Sequence, residues 1–253
     1  MIEIPGLVNV RDVGDYPTVD GSRTRSSVLF RSDALSGLTA DGLTALSRSP
    51  IREIVDLRTP DERAAAPDRL PTTPSIRSID APLLQGAVSD LLRDAMDPAA
   101  PATTLDEIPT LGELYCGMLD DGATVFADIA RRLAASTGAE ALLIHCTAGK
   151  DRTGVATALL LDAVGVERAA VVADYTASQE RLAGPWADRM LGMIAGLGVP
   201  LTPRLRALVC ETPASAIEEA LEKVDALGGS ASYLRNGGLT TPELAHLRSR
   251  LTG

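Results

Sequence analysis

Short apolar runs alternate with helical patterns over the first two thirds of the chain. Four of these runs are rich in β-branched and aliphatic residues, which is typical of buried strands. Helices that alternate with strands predict an α/β fold with a mainly parallel central sheet of about five strands, flanked by helices. The predicted strands span residues 27–30, 51–57, 75–79 and 141–145.

Side-chain spacing and end signals predict the helices. Thr39 is the expected N-cap of one helix, and Val125, Ile129 and Leu133 share a face of a second helix over residues 125–135. Only helical patterns follow the last strand, so the C-terminal third is predicted to be helical. These patterns span residues 153–164, 168–182, 187–197, 203–210, 214–227 and 242–251.

No repeat, low-complexity tract or long polar linker divides the chain, so we predict a single domain over residues 1–253. Residues 83–111 are its least regular stretch and are predicted to form a surface excursion, to which we assign no function. Aromatic residues make up only 3% of the chain. The core is therefore expected to be aliphatic.

The composition excludes several classes of protein and partner. Hydrophobic residues make up 45% of the chain and charged residues 23%, which suits a globular protein rather than a disordered one. The formal net charge of −10 argues against nucleic acid or an anionic membrane as a partner. With no apolar run of about 18 residues and no signal-like start, we expect a cytoplasmic protein without integral membrane association.

The three cysteines, Cys116, Cys146 and Cys210, lie far apart and form no CxxC pair. This spacing argues against a disulfide framework or a zinc site, so reduced thiols are expected. We predict neither a metal nor a cofactor. Cys116 and Cys210 are predicted to be structural.

The segment ALLIHCTAGKDRTGVATALLL, residues 141–161, carries the chemistry. A buried strand ends at His145, a turn with glycines at Gly149 and Gly154 follows, and an apolar helix then begins. Unpaired N–H groups and the helix dipole make such a junction an anion site that suits phosphate. The nucleotide-binding Walker motif does not match, since Ile144 stands where its first glycine is needed.

Cys146 opens this turn and Arg152 lies six positions further on. The spacing allows the turn to wrap around a tetrahedral oxyanion, with the sulfur beneath phosphorus and the guanidinium on two of the oxygens. The same positive groups favour the thiolate of Cys146, which is a competent nucleophile. These residues predict a phosphate site with a reactive cysteine.

The motif HCTAGKDRTG resembles the signature loop of the cysteine-dependent protein tyrosine phosphatases, in the bacterial branch whose loop reads HCxAGKDRTG. The segments NVRDVGDYPTVDG, RSDALSGLT, IVDLRTPDERAAAPDRLP and DYTASQERL also resemble blocks of that family, so the resemblance covers nearly the whole chain. One departure is Asp15, where the family usually has a glycine after Gly14. This departure is expected to alter the turn and to leave the catalytic inference intact.

The resemblance implies a role for each loop residue. Cys146 attacks phosphorus, Arg152 and the loop amides stabilise the transferring group, and Asp151 protonates the leaving oxygen and later activates water. Asp80, after the third predicted strand, is the second choice for the acid. Thr153 is expected to hydrogen-bond the sulfur. The predicted substrate-binding residues are Thr147, Ala148, Gly149, Lys150, Thr153 and Gly154.

The resemblance therefore implies hydrolysis of phosphotyrosine monoesters through a phosphocysteine intermediate, with a phosphorylated protein or a phosphoinositide as the partner. Lys150 adds a second positive charge, a feature shared by phosphatases that accept inositol phospholipids, so dual-specificity or phosphoinositide activity is the close alternative. A phosphate-binding pseudophosphatase without turnover is an alternative of another class. The presence of Cys146, Asp151 and Arg152 argues against it.

Supporting residues surround the loop. His145 is expected to orient it, while Asp56 and Arg58 form either a plain ion pair or part of the site at a strand end. The more economical interpretation of Asn9, Arg11 and Asp12 is a structural turn. Helical spacing of Trp186, Met190, Met193 and Leu197 is typical of core, although the resemblance also implies a helical lid over residues 184–210.

Overall fold

The computed structural model describes residues 3–83 and 109–253. Its five-stranded sheet has the order β1-β2-β5-β3-β4, in which β1 is antiparallel to β2 and all other pairs are parallel. The most central strand in this order is β5, which pairs with both β2 and β3. The strands are β1 Arg11–Asp12, β2 Leu29–Ser32, β3 Ile51–Asp56, β4 Arg77–Asp80 and β5 Ala141–His145.

Eleven α-helices occur within the two described ranges. The first two precede the fourth strand, and six follow the helix that leaves β5. They are α1 Ala40–Arg48, α2 Pro60–Ala65, α3 Leu111–Asp121, α4 Ala123–Ala135, α5 Asp151–Ala163, α6 Arg168–Leu182, α7 Pro185–Gly196, α8 Pro203–Cys210, α9 Ala214–Ala226, α10 Ser230–Asn236 and α11 Thr241–Thr252.

The two faces of the sheet support two hydrophobic clusters. Successive side chains of a strand point to opposite faces, and in β5 Leu142 and Ile144 join the larger cluster while Ala141 and Leu143 join the smaller one. The larger cluster includes residues of α3 to α11, and α5 is buried on almost every side. The strand and the helix on either side of the loop after β5 are therefore both held in the core.

The predicted fold class is confirmed by the mixed sheet, its helices and the helical C-terminal third. The predicted helices over residues 168–182 and 203–210 have the bounds that the sequence pattern indicated, and Thr39 is the N-cap of α1, where its side chain accepts from the N–H of Gly42. The prediction missed α2, α3 and α10. Both α2 and α3 begin with capping boxes, at Thr59 and Thr110, which were readable signals.

Two further sequence expectations concern the predicted surface excursion and the absence of a membrane-crossing segment. The predicted excursion over residues 83–111 lies outside the described ranges except at its two ends. Within the described ranges, no helix combines the length and the apolar character that a membrane crossing needs.

Candidate active site

The loop from Cys146 to Lys150 connects the central strand β5 to the N-terminus of α5. Ligands bind at the carboxyl ends of the strands in open α/β sheets, and this loop lies at that edge. A cavity of about 450 Å³ is lined by Cys146, Thr147, Ala148, Lys150, Asp151 and Arg152. The structure thus brings the predicted catalytic residues to the wall of one cavity.

Gly149 is required by the shape of the loop. Its φ is +66°, in the left-handed region, and a Cβ built on it would lie 2.1 Å from the carbonyl oxygen of Ser32. The sequence placed Gly154 in the same turn, and this prediction is wrong. The helix α5 already begins at Asp151, so Gly154 lies in its first turns. A Cβ on Gly154 would lie 3.0 Å from a ring carbon of Tyr175, so this glycine permits close packing of α5 against α6.

The loop carbonyls are all held by groups outside the loop. Asn9 Nδ2 donates to the carbonyls of Ala148 and Gly149 at 2.9 and 3.1 Å. Arg31 Nη2 donates to the Gly149 carbonyl at 2.7 Å, and the N–H of Ala34 donates to the Thr147 carbonyl at 3.1 Å. The sequence suggested only a structural turn for Asn9, whereas the structure shows that its side chain braces the loop directly.

The backbone amides of the loop differ from its carbonyls in their hydrogen bonding. Within the described part of the chain, no group accepts a hydrogen bond from the backbone N–H groups of Thr147 to Arg152. The N–H groups of the first helical turn have no intrahelical partner either, and the dipole of α5 adds positive potential there. With the carbonyls engaged elsewhere, this run of donors remains for an anion in the cavity.

Cys146 and Arg152 stand at the two ends of this run. Cys146 is 2% exposed, and Arg152 is 5% exposed at the cavity wall. Burial opposes the charge of Arg152, but its hydrogen bonds to Glu62 and the neighbouring charges of Cys146 and Glu62 raise its pKa above the ordinary value. The guanidinium is therefore a permanent positive charge at this site.

Arg152 has a partner that the sequence analysis did not identify. Its Nη1 and Nη2 donate to the two carboxylate oxygens of Glu62, both at 2.6 Å, and Nη1 also donates to the carbonyl of Leu57 at 3.3 Å. A guanidinium carries five N–H donors. These contacts leave Nε–H and one Nη2–H, which form the side-on fork that suits two oxygens of a phosphate.

Glu62 lies on α2, at the N3 position of the capping box that begins with Thr59. Its carboxylate also accepts from Thr147 Oγ1 at 2.5 Å. Burial acts to raise the pKa of Glu62, but the hydrogen bonds and charge of Arg152 and the bond from Thr147 outweigh it and lower the pKa to about 2. The Thr59-x-x-Glu62 spacing was the readable signal for the helix, although not for the contact with Arg152.

A buried charge network lies beneath the loop. Asp174 on α6 accepts from Arg11 Nε at 2.8 Å and from Arg31 Nη1 at 2.5 Å. Burial raises the pKa of Asp174, but the two arginines lower it to about 2. The carboxylate thereby offsets two buried cations, one of which, Arg31, holds the loop. Arg11 also donates to Asn9 Oδ1 at 2.6 Å.

The two candidate acids have different surroundings. Asp151 is the first residue of α5 and lines the cavity, with 26% of its side chain exposed. Asp80 ends the edge strand β4, is 61% exposed, pairs with Arg63 at 3.3 Å and does not line the cavity. The geometry therefore favours Asp151 over Asp80.

Lys150 lies differently from what its motif suggested. It is 1% exposed, and Nζ donates to the carbonyls of Leu208 and Glu211 at 2.7 and 2.9 Å. These carbonyls belong to the last turn of α8 and the residue that follows it. The ammonium group ties the loop to α8 rather than standing free in the cavity, although its side chain contributes to the cavity wall.

His145, Asp56 and Arg58 form one buried cluster together with Asp68. Arg58 pairs with Asp56 and with Asp68, at 2.8 Å in each case, and His145 Nε2 lies 3.1 Å from an Asp68 oxygen. The atoms of Asp56, Asp68 and His145 are close enough to hold a metal ion. The guanidinium of Arg58 already supplies positive charge to both carboxylates, so the cluster fits an ion-pair support for the strand ends better than a cation site.

Apolar residues of α7 form one wall of the cavity. Trp186, Met190 and Met193 line it, and Met193 is 53% exposed. Leu197 is 44% exposed and does not line the cavity, whereas Ile194 is the buried residue of this helix. The interpretation of this stripe as plain core is therefore wrong for Met193 and Leu197.

Two remaining sequence expectations concern Thr153 and Asp15. Thr153 is fully buried, but its Oγ1 forms no hydrogen bond with the described residues, so the expected bond to the Cys146 sulfur is not formed here. Asp15 has a φ of +65°, which explains why a glycine suits this position. Its side chain pairs with Arg23 at 2.5 Å.

A strand–loop–helix anion site that begins with a cysteine and ends with an arginine, on a mainly parallel sheet, defines a cysteine-dependent phosphoryl-transfer class of enzyme. A family model described as "Tyrosine phosphatase family" matches residues 2–253. The chain belongs to this tyrosine phosphatase family, and it is a protein-tyrosine phosphatase.

Two curated relatives agree with this assignment. The chain is 32% identical, over 99% of its length and 99% of the relative, to the triple specificity protein phosphatase PtpB of Mycobacterium tuberculosis. It is 30% identical, over 93% of its length and 78% of the relative, to a tyrosine-protein phosphatase of Nostoc commune. The crystal structure of P. aeruginosa TpbA matches with a TM-score of 0.34 and 19% identity, over 74% of this chain and 89% of that one.

Proposed function

We propose that this phosphatase hydrolyses phosphotyrosine monoesters through a phosphocysteine intermediate, within one phosphatase domain over residues 1–253. The observation that carries the proposal is the run of amides from Thr147 to Arg152 that have no acceptor among the described residues, with the Cys146 thiol at one end and a guanidinium fork at the other. Preorganised donors of this kind stabilise a transferring phosphoryl group because little reorganisation is needed during the reaction.

The first step forms a bond between Cys146 Sγ and phosphorus as the bond between phosphorus and the phenolic oxygen breaks. Asp151 gives its proton to that oxygen, so tyrosine leaves as a neutral phenol. In the second step a water attacks phosphorus and Asp151 takes one of its protons. The phosphorus–sulfur bond then breaks, which returns the Cys146 thiolate and releases inorganic phosphate.

Arg152 binds the substrate through the donors that Glu62 leaves free. The Nε–H and second Nη2–H face two phosphate oxygens, while Glu62 fixes the opposite edge of the guanidinium at 2.6 Å. The phosphate therefore does not need to displace Glu62 in order to bind. Positioning and charge supply the larger part of the catalysis in this proposal.

The apolar cavity wall supports an aromatic substrate. Trp186, Met190 and Met193 offer side chains that pack against the ring of phosphotyrosine, and methionine sulfur contacts aromatic rings favourably. We propose residues 184–210 as a lid, since Met193 is exposed at the cavity and only Ile194 of α7 is buried. In this proposal the hydrogen bond from Lys150 to α8 attaches the lid at its hinge.

Dual-specificity or phosphoinositide activity is the second candidate. The name of the M. tuberculosis relative favours a broad substrate range. The argument from Lys150 loses support, because backbone carbonyls occupy its ammonium group. The convergence of Cys146, Asp151 and Arg152 on one cavity argues against a pseudophosphatase.

The proposed setting of the enzyme is the cytoplasm, and its proposed partners are phosphorylated proteins rather than nucleic acid. Three free cysteines suit a reducing compartment. The net charge of −10 supports the exclusion of nucleic acid and anionic surfaces.

The test is hydrolysis of p-nitrophenyl phosphate without added metal and in the presence of EDTA. We expect turnover that vanadate inhibits, and its loss in the Cys146→Ser variant with the far-UV circular dichroism spectrum unchanged. Cys116→Ser is the matched control, since Cys116 lies on α3 and does not line the cavity. Turnover that persists in Cys146→Ser would refute the nucleophile. Comparison of kcat/KM for phosphotyrosine peptides, phosphothreonine peptides and phosphoinositides decides between the two candidates.

A further inference from the structure

A pair of buried tyrosines lies behind Asp151. Tyr115 on α3 is fully buried, and its Oη donates to Asp151 Oδ1 at 2.5 Å. Tyr175 on α6 places its Oη 2.8 Å from that of Tyr115, and the two rings meet edge to face at 84° with centroids 5.9 Å apart. Neither tyrosine lines the cavity. Their hydroxyls therefore reach the proposed acid from its protein side.

The direction of the hydrogen bonds follows from the donors available. Each tyrosine hydroxyl has one proton, and burial, together with the charge of Asp151, raises the pKa of Tyr115 well above its ordinary value. Burial and the same charge also raise the pKa of Tyr175. Both hydroxyls thus stay protonated in the working range of pH. Tyr175 then donates to Tyr115, and Tyr115 donates to Asp151.

This chain makes the two oxygens of Asp151 unequal. Oδ1 accepts from Tyr115 and also lies 3.5 Å from Lys150 Nζ. Among the described residues, no group binds Oδ2. The proton of the neutral acid is therefore placed on Oδ2, while Oδ1 remains the acceptor on the buried side.

We propose that Tyr115 is a positioning residue for acid catalysis by Asp151: it occupies Oδ1, fixes the rotamer of the carboxyl group and leaves the proton on Oδ2. The inference rests on the proposed role of Asp151. As the bond between phosphorus and the leaving oxygen breaks, the Oδ2 proton moves to that oxygen and Asp151 becomes a carboxylate. A hydrogen bond to a carboxylate is stronger than one to a neutral acid, so the Tyr115 bond strengthens as the proton leaves.

The substitution Tyr115→Phe removes this bond and keeps the ring. We expect kcat/KM to fall about tenfold or more for phenyl phosphate, whose leaving group needs the proton, and less than about threefold for p-nitrophenyl phosphate. An equal loss with both substrates would overturn the proposal.

Tyr233→Phe is the matched control. Tyr233 is 3% exposed on α10, and its hydroxyl donates to the Leu119 carbonyl at 2.7 Å without reaching the loop. The substitution removes one buried, hydrogen-bonded tyrosine hydroxyl, and it should leave kcat/KM for both substrates unchanged. A leaving-group bias in this control equal to that of Tyr115→Phe would count against a positioning role.

Asp151→Asn separates this inference from the proposed function. If Asp151→Asn shows no leaving-group bias, the acid assignment fails and the inference fails with it. If Asp151→Asn shows a steep bias and Tyr115→Phe shows none, only the inference fails. On the Asp151→Asn background, Tyr115→Phe should cause less than a twofold further loss, since a positioning residue acts through its acid.

The double variant Tyr115→Phe, Tyr175→Phe is used if the single variant folds poorly, because it also removes the Tyr175 hydroxyl that would otherwise lose its acceptor. It should reproduce the leaving-group bias of the single variant. The same kcat/KM with phenyl phosphate as the wild type in a folded double variant would overturn the inference.

Discussion

The contact between Glu62 and Arg152 yields a stability prediction with a defined dependence on pH. Replacement of Glu62 by glutamine keeps the size of the side chain and removes the charge that accepts from Arg152 at 2.6 Å. The pKa of Glu62 is lowered from 4.5 to about 2, despite burial, by Arg152 and Thr147. At about 1.4 kcal/mol for each pH unit this corresponds to at most about 3.5 kcal/mol, which solvent screening reduces to about 1–2 kcal/mol.

The direction of the pKa shift of Glu62 determines how its contribution to stability depends on pH. A carboxylate whose pKa is lower in the folded state contributes stability above its unfolded pKa of 4.5, and this contribution is lost as the pH falls toward 2. The free energy of unfolding of Glu62→Gln should therefore lie about 1–2 kcal/mol below that of the wild type at pH 7. The difference should shrink as the pH falls from 4.5 toward 2.

Urea denaturation followed by far-UV circular dichroism at several pH values measures this difference. Asp61→Asn is the matched control, because Asp61 is an exposed acidic residue in the same first turn of α2. We also expect kcat/KM of Glu62→Gln to fall about tenfold or more, since Arg152 loses its orienting partner. A stability difference that stays constant from pH 7 to pH 2 would refute the ion-pair reasoning.

Three further predictions concern the loop and its supports. Gly149→Ala forces a Cβ to within 2.1 Å of the Ser32 carbonyl oxygen, so we expect kcat/KM to fall about 100-fold or more, and activity near that of the wild type would contradict this role. Asp174→Asn leaves two buried arginines without a compensating charge and should cost about 3–5 kcal/mol in urea denaturation. Lys150→Met releases the last turn of α8, so amide hydrogen exchange should become faster in α8 but not in α4; equal rates in wild type and variant would show that this tether contributes nothing.

The helix-capping residues show how much of the structure local sequence can predict. Thr59 and Thr110 each stand three positions before a glutamate, a spacing that indicates a helix start, yet α2 and α3 were not predicted. None of the residues of α2 is buried, whereas α3 buries Leu111, Tyr115, Met118 and Leu119 on one face. Thr39 was identified correctly without a glutamate three positions later, because an amphipathic helix follows it. Gly154 was wrongly predicted to lie in the turn. The sequence does not distinguish a glycine that permits packing against Tyr175 from one that forms a turn.

The sequence alone determined the features that depend on neighbours in the chain: the α/β class, the strand that ends at His145, the turn at Gly149, and the Cys146 and Arg152 pair that flanks the loop. The tertiary structure alone decided which distant groups support this loop. Glu62 lies 90 positions from Arg152, Asn9 lies 139 from Ala148, and Tyr115 lies 36 from Asp151. Central placement of β5 brings these segments together at one sheet edge, and such contacts between segments depend on topology, which local spacing does not encode.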